Sequence, residues 1–139
     1  MSNMVIVNAG KQLLLNNALT NSGTVEDFIV GLYQNNHVPT DTDTLAAYTD
    51  ATFTGYTTFN VPRSTFSAAT IVSNVAVTTS SLSPSFTCTG GAAQTVYGFY
   101  MKGATSGTLY LAQYFPTARV MSTGSTETLT PFAIDLESI

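Results

Sequence analysis

The stretch TVYGFYMKGATSGTLYLAQYF, residues 95–115, decides the fold. Two runs of apolar and aromatic residues flank the segment 103–107, which begins and ends with glycine. Loops of three to five residues that contain glycine commonly join the two strands of a β-hairpin. The stretch therefore predicts a hairpin, and the rest of the chain is interpreted around it.

Successive side chains of a strand point to opposite faces, so strict alternation predicts which residues share a face of the hairpin. In the first strand the two sets are Tyr97, Phe99, Met101 and Val96, Gly98, Tyr100. In the second strand they are Leu109, Leu111, Phe115 and Tyr110, Ala112, Tyr114. All four sets are apolar or aromatic, whereas a hairpin with one solvated face alternates with polar residues. We expect the hairpin to lie centrally, with a core on one side and a cover or a partner on the other.

The composition indicates a single all-β domain with a neutral surface. The chain has 139 residues, of which 44% are hydrophobic and only 9% charged, against about 25% charged in typical domains. Ser and Thr make up about a quarter of it, and Thr favours strands. A surface with so little charge is poorly protected against association. The composition therefore favours assembly with other proteins or a neutral partner such as carbohydrate.

The charges and the single cysteine exclude several classes of protein. The net charge is −4, and the four Lys and Arg residues are scattered, so we expect no nucleic-acid partner. Cys88 has no second cysteine with which to form an intrachain disulfide. We expect no signal peptide and no membrane helix, because no basic segment precedes a long apolar run. A chain made in the cytoplasm with the composition of an exposed β-protein is typical of virus particles.

The first 24 residues are predicted to form an N-terminal arm or short helix, ahead of a β-sandwich domain at 25–139. The run MVIV at 4–7 suits an edge strand or an extended arm. In the segment 10–19, Leu14, Leu15 and Leu19 form an apolar stripe with helical spacing, and Asn21 to Gly23 end it. This helix either caps the open end of the sandwich or docks on a neighbouring subunit.

Short apolar segments separated by turn residues continue to the end of the chain. Residues 28–33 suit a buried central strand, and residues 52–61 and 71–79 alternate with Phe53, Phe59, Val61, Ile71, Val75 and Val77 inward. Further strands are expected near 85–89, 126–130 and 132–136. About eight strands at this spacing predict a β-sandwich, either a jelly roll or an immunoglobulin-like order.

No motif specifies a reaction, so we predict no catalytic, cofactor-binding or metal-binding residue. His37 is interpreted as a loop residue and Cys88 as a small core residue. Asp41, Asp43 and Asp50 depart from a calcium-loop pattern. Thr40 and Asp43 instead fit a capping box that begins a single helical turn.

The tyrosines of the hairpin suit three roles: a core with hydroxyls at its rim, a protein interface, or a platform for glycan. Taken together with the N-terminal segment, they give a set of candidate interface residues. These are Val5, Ile6, Leu14, Leu15, Leu19, Tyr97, Tyr100, Tyr110 and Tyr114.

Six short motifs in order carry a resemblance over residues 28–136. They are LYxNN (32–36), PxDxD (39–43), ATFxGY (51–56), FTxTGG (86–91), VYGFY (96–100) and LYLAQYF (109–115). The chain resembles small virion structural proteins encoded in the morphogenesis modules of tailed phages and prophages.

The resemblance implies a non-enzymatic protein of the virion, assembled in the host cytoplasm. It implies a capsid decoration (cement) protein that self-associates, with a trimer favoured, and clamps neighbouring subunits of the major capsid protein. The alternative is a tail or fibre adaptor or a glycan-binding receptor module. Residues 1–24 lie outside the resemblance, so a docking arm there would be particular to this chain.

Overall fold

The computed structural model describes residues 4–20, 22 and 25–136 of the chain. Within that part the protein is mostly β-structure with one short N-terminal helix, in the order β1 (Met4–Ile6), α1 (Asn8–Leu15), β2 (Phe28–Tyr33), β3 (Phe59–Val61), β4 (Thr70–Val72), β5 (Val75–Thr79), β6 (Ser85–Thr87), β7 (Gln94–Gly103), β8 (Leu109–Met121), β9 (Thr126–Thr128) and β10 (Ala133–Asp135). A π-helical turn, Asn16–Thr20, continues α1, and Leu45–Ala47 and Arg63–Thr65 are 3₁₀ helices.

The strands form three antiparallel sheets. The largest has the order β1-β8-β7-β2-β3, the second β10-β5-β4 and the third β6-β9. None of these sheets closes into a barrel in the described part of the chain. The prediction of an all-β fold with a short N-terminal helix is confirmed in this form.

The hairpin of β7 and β8 lies at the centre of the largest sheet, as predicted, with β1 on one side and β2 on the other. Its loop closes where the N–H of Gly107 donates to the carbonyl of Gly103 at 3.0 Å. Gly107 has φ 68°, a conformation that glycine adopts without steric strain.

Two irregularities in the pairing of β7 with β8 overturn part of the predicted alternation. Val96 pairs with Arg119 but Gly98 pairs with Tyr114, and a second shift lies between Met101 and Lys102. Each irregularity reverses the side to which a residue points. Four residues were therefore assigned to the wrong face: Val96 packs in the core with Phe99, Tyr97 packs near Tyr100, Leu109 near Ala112, and Tyr110 beside Leu111. Pro116, which cannot donate a backbone hydrogen bond, lies in the unmatched part of β8.

Both faces of the large sheet are covered, as the sequence predicted. One face contributes to a core that includes Val30, Phe99 and Phe132 and reaches the other two sheets. The opposite face carries a second cluster around Tyr33 and Tyr100. Its cover comes from the loop between β2 and β3: Tyr48, Leu45 and Ala47 pack on it.

Two predicted strands are wrong in part. Residues 52–58 are not a strand, because a turn closes where the N–H of Tyr56 donates to the carbonyl of Phe53 at 3.0 Å and Gly55 takes φ 89°. Residues 71–79 are not one strand but the hairpin of β4 and β5, which turns at Ser73 and Asn74. As a result Ile71, expected to point inward, is 70% exposed.

The N-terminal segment belongs to the sheet and to the layer above it. β1 pairs with β8 through Met4↔Gln113 and Ile6↔Leu111, and Val7 is fully buried. The helix predicted at 10–19 is present as α1 and the π-helical turn. Its predicted stop at Asn21 and Gly23 falls outside the described residues, and the domain boundary at residue 24 stays a prediction.

Candidate functional site

An open apolar cleft of about 570 Å³ lies beside α1 and is bounded by two of the sheets. Leu14 and Leu15 form its helical wall, and Phe28, Val77 and Ile134 come from β2, β5 and β10. The helix, the large sheet and the three-stranded sheet therefore meet at this cleft.

The start of α1 is held close to the large sheet beside the cleft. The backbone N–H of Val7 donates to the carbonyl of Tyr110 at 3.1 Å. A Cβ at Gly10 would collide with that same carbonyl oxygen, so glycine permits the close approach. The later turns are less covered: Leu15 is 56% and Leu19 78% exposed.

Strand β4 extends the apolar surface along the same side. Ile71 pairs with Ala76, which lines the cleft, and paired residues of adjacent strands point to the same face. β4 is the last strand of its sheet, so one of its edges lacks a neighbouring strand in the described structure. Ile71 and Val72 therefore present apolar side chains beside an open strand edge.

Arg63 is the only charged residue among the described residues that line the cleft. Its guanidinium forms no ion pair with any residue that the structure describes, and it lies close enough to act on Tyr110. Burial, together with the carboxylate of Glu26, raises the pKa of Tyr110 to about 12, and Arg63 opposes that rise. The cleft is therefore apolar with one cation at its edge.

Glu26 fixes the wall that Tyr110 forms. The N–H groups of Thr105 and Ser106 donate to Oε2 of Glu26 at 2.8 and 2.7 Å, and the Tyr110 hydroxyl approaches Oε1 at 3.3 Å. Burial raises the pKa of Glu26, but the hydrogen bonds from Ser106, Thr105 and Tyr110 outweigh it and leave the pKa below its ordinary value. The carboxylate is therefore held ionised at neutral pH.

The candidate interface residues fall into three groups. Leu14, Leu15 and Leu19 are exposed, and Val5, Tyr97 and Tyr114 are half-buried. Ile6, Tyr100 and Tyr110 are buried within the domain. Regular strand pairing places Ile6 and Tyr100, and the irregularity opposite Met101 and Lys102 places Tyr110, so these three candidates serve the domain's own packing. The structure brings only Leu14 and Leu15 of the exposed group to the cleft.

Tyr97 and Tyr114 form a stacked pair at the margin of the second cluster. Their ring centroids are 6.4 Å apart with an angle of 24° between the planes. The Tyr114 hydroxyl donates to Oδ1 of Asn36 at 2.7 Å. This pair is the partly exposed aromatic surface of the hairpin.

Asp43 holds together the loop that covers the tyrosine face. Its carboxylate accepts hydrogen bonds from the Tyr48 hydroxyl at 2.7 Å and from the N–H of Thr40 at 3.0 Å, and Nε2 of His37 lies at 2.7 Å. Burial raises the pKa of Asp43, but these hydrogen bonds leave it well below its usual range. The predicted contact between Thr40 and Asp43 is present, but the capping role is wrong: the contact closes a turn, and the 3₁₀ helix Leu45–Ala47 begins after it at Thr44, which makes no side-chain cap. The pairing with His37 was not foreseen. All these donors converge on Asp43, an arrangement suited to holding the loop.

The other two acidic residues of this region, Asp41 and Asp50, interact with separate partners. Asp41 faces Lys11, with 3.9 Å between Oδ2 and Nζ, and Asp50 accepts from the hydroxyl of Tyr100. No group of three His, Cys, Asp or Glu residues within residues 4–20, 22 and 25–136 is arranged to hold a metal ion. Cys88 is buried, and its Sγ lies 3.4 Å from the carbonyl oxygen of Gly90. No helix of the described chain is both long enough and apolar enough to span a membrane.

No protein-family model matches the chain, and a comparison with curated proteins found no match.

Sequence reasoning missed the cleft itself, the open edge at β4 and the placement of Arg63. The sequence held one usable signal for the β4–β5 hairpin, the pair Ser73-Asn74 between two β-branched runs. Asn tolerates positive φ, which a two-residue hairpin loop requires. Nothing in the sequence indicates that Arg63 lies at a cleft, because the strands that surround it come from distant parts of the chain.

Proposed function

We propose that this chain is a non-enzymatic structural protein of a tailed-phage virion, and specifically a capsid decoration (cement) protein. The observation that carries the proposal is the apolar cleft together with exposed apolar residues on the elements that flank it, Leu15 and Leu19 on the helical segment and Ile71 on β4. Large exposed apolar patches on a folded domain mark interaction sites. A chain with 9% charged residues offers little to keep such a surface solvated.

The proposed mechanism is burial of this surface between subunits. A stable interface covers roughly 800 Å² on each partner, about a ninth of the 7086 Å² of accessible surface. We propose contacts with the major capsid protein and with other copies of the chain, with a trimer favoured, in a virion assembled in the host cytoplasm. Nucleic acid and membranes are not proposed partners.

The finer architecture belongs to the same proposal. We assign the domain to the β-sandwich class, with a jelly-roll or immunoglobulin-like order. The support is a shared core to which residues of separate antiparallel sheets contribute, such as Phe99 of the large sheet and Phe86 of the two-stranded sheet. Of the motifs that resemble phage virion proteins, 109–115 lies within β8 and 32–36 lies partly in β2.

The second candidate is a tail or fibre adaptor or a glycan-binding receptor module. The stacked rings of Tyr97 and Tyr114, beside the amide of Asn36, favour this alternative. Tyrosine rings pack on the apolar faces of sugars, and amides bond to sugar hydroxyls.

A binding experiment with capsids that were assembled without this protein tests the proposal. We expect the purified chain to co-sediment with them saturably. Leu15→Ser combined with Leu19→Ser should weaken binding by about tenfold or more, since two exposed apolar contacts are lost. Val120→Ser is the matched control, because Val120 is 62% exposed and lies outside the cleft.

Two results would decide against the cement role. If the wild-type chain does not bind the capsids, the role is rejected. If it instead binds immobilised glycans and Tyr97→Ala abolishes that binding, the receptor module replaces it.

A further inference from the structure

We infer that the cleft receives an extended segment of the capsid protein, one with apolar side chains and a single carboxylate that pairs with Arg63. This inference rests on the proposed function and names the partner chemistry of the same surface. Four features carry it: the size of the cleft, its lining, its one cation and the apolar surface that continues beyond it.

The size and lining suit a few apolar side chains. The volume of about 570 Å³ lies within the range of roughly 300–1,000 Å³ that is usual for ligand sites. The walls are formed by residues such as Leu15, Phe66, Val77 and Ile134. Side chains that enter this space exchange contact with water for contact with apolar neighbours on several sides, which favours binding.

The single cation specifies the charge of the occupant. The backbone of Arg63 is fixed, because its N–H donates to Oδ1 of Asp27 at 2.8 Å and it begins the 3₁₀ helix Arg63–Thr65. Its side chain is exposed and forms no ion pair with a described residue. A guanidinium pairs best with a carboxylate, through two parallel hydrogen bonds. One acidic group in an otherwise apolar segment matches this arrangement.

The surface outside the cleft favours a protein segment over a small amphiphile. Leu19 and Ile71, which do not line the cleft, are among the most exposed apolar residues of the described chain. A small molecule within the cleft would leave them in water, whereas a protein covers both. The open edge of β4 also offers backbone groups to an extended strand, a recurring mode of peptide recognition. These features together point to an extended segment of a larger partner.

Photo-crosslinking to capsids assembled without the protein tests where the partner lies. A benzophenone amino acid replaces Ala69, an exposed residue of the cleft lining, or Val120, which lies outside it. We expect position 69 to crosslink to one capsid-protein segment that is apolar and contains one Asp or Glu. We expect position 120 not to crosslink to that segment.

Substitution of the cation tests the charge. Arg63→Gln should weaken capsid binding by about tenfold and reduce its salt dependence, as expected when one partner of a desolvated ion pair is removed. Arg63→Lys should retain part of the affinity. Arg119→Gln removes an equal charge outside the cleft and should bind like the wild type. Far-ultraviolet circular dichroism and the Tm of each variant confirm that it is folded.

The outcomes separate this inference from the proposed function. If the wild type does not bind capsids, both fall. If the wild type binds and Arg63→Gln binds equally well, only the cleft inference falls. Crosslinks from position 69 that reach only second copies of this chain, and never the capsid protein, would also overturn it.

Discussion

Three carboxylates among the residues that the structure describes each accept a hydrogen bond from a tyrosine hydroxyl. Glu26 pairs with Tyr110, Asp43 with Tyr48 and Asp50 with Tyr100. The ring of each tyrosine is buried while its hydroxyl is satisfied, which removes the penalty of an unpaired polar group. Of the three roles considered for the hairpin tyrosines, Tyr100 and Tyr110 therefore have the role of core residues. Only Tyr97 and Tyr114 of the hairpin are partly exposed.

The Glu26 carboxylate should make the free energy of unfolding of the domain depend on pH in the acidic range. Its pKa in the folded protein lies below the ordinary value of 4.5. The stability that it contributes is thus present above about pH 4.5 and lost as the pH falls through the folded pKa. We expect the free energy of unfolding of the wild type to fall below pH 4.5, and that of Glu26→Gln to be about 1–3 kcal/mol lower at pH 7 and less sensitive to acid. Urea denaturation across pH measures both.

Glu127→Gln is the control for this prediction. Glu127 pairs with Arg119 at 3.4 Å near the surface, and such pairs contribute about 1 kcal/mol or less. If Glu26→Gln were as stable as the wild type at pH 7, the hydrogen bonds to its carboxylate would not stabilise the fold.

At the scale of elements, sequence reasoning succeeded where local chemistry decides the structure. Glycines at both ends of segment 103–107 predicted the β7–β8 hairpin, and apolar spacing predicted a helix that overlaps Asn8–Leu15. The alternation failed at Tyr97 and Tyr110, because a bulge depends on how two strands pair and not on either strand alone. The cleft could not be predicted for the same reason, since its walls come from residues far apart in the chain.

The β4–β5 hairpin contains a strained residue that a substitution should relieve. Ser73 has φ 50° and Asn74 φ 66°. The left-handed conformation costs about 1–2 kcal/mol for an ordinary residue, and Asn tolerates it better than Ser. We expect Ser73→Gly to raise the free energy of unfolding by about 1 kcal/mol and the Tm by about 2–5 °C. Scanning calorimetry measures the change.

The same substitution at Ser64 provides the comparison for Ser73→Gly. Ser64 lies in the 3₁₀ helix Arg63–Thr65 and does not have a positive φ, so Ser64→Gly should lower stability by about 0.5–1 kcal/mol. If Ser73→Gly and Ser64→Gly lowered stability equally, the left-handed conformation of Ser73 would be contradicted.

At the scale of the whole molecule, the chain has the accessible surface area expected of a monomeric folded protein. Its accessible surface is 7086 Å² for a mass of 14.7 kDa, close to the roughly 6,900 Å² expected of a monomeric protein of that mass. Association would therefore join folded copies. Deletion of residues 1–24 is a poor test of it, because the deletion removes β1 and the buried residues Ile6 and Val7.

Point substitutions on the exposed helix surface test self-association without that damage. Light scattering at increasing concentration should give the wild type a closed oligomer, with a trimer favoured, since Leu15 and Leu19 are exposed beside the cleft. Leu15→Ser with Leu19→Ser should shift the mass to a monomer while the Tm stays close to that of the wild type, because exposed side chains contribute little to folding. Val120→Ser, at a residue whose exposure lies between those of Leu15 and Leu19 but which is outside the cleft, should keep the oligomer. A monomeric wild type at every concentration would contradict self-association of the free protein, and an oligomer that survives the double substitution would place the interface elsewhere on the surface.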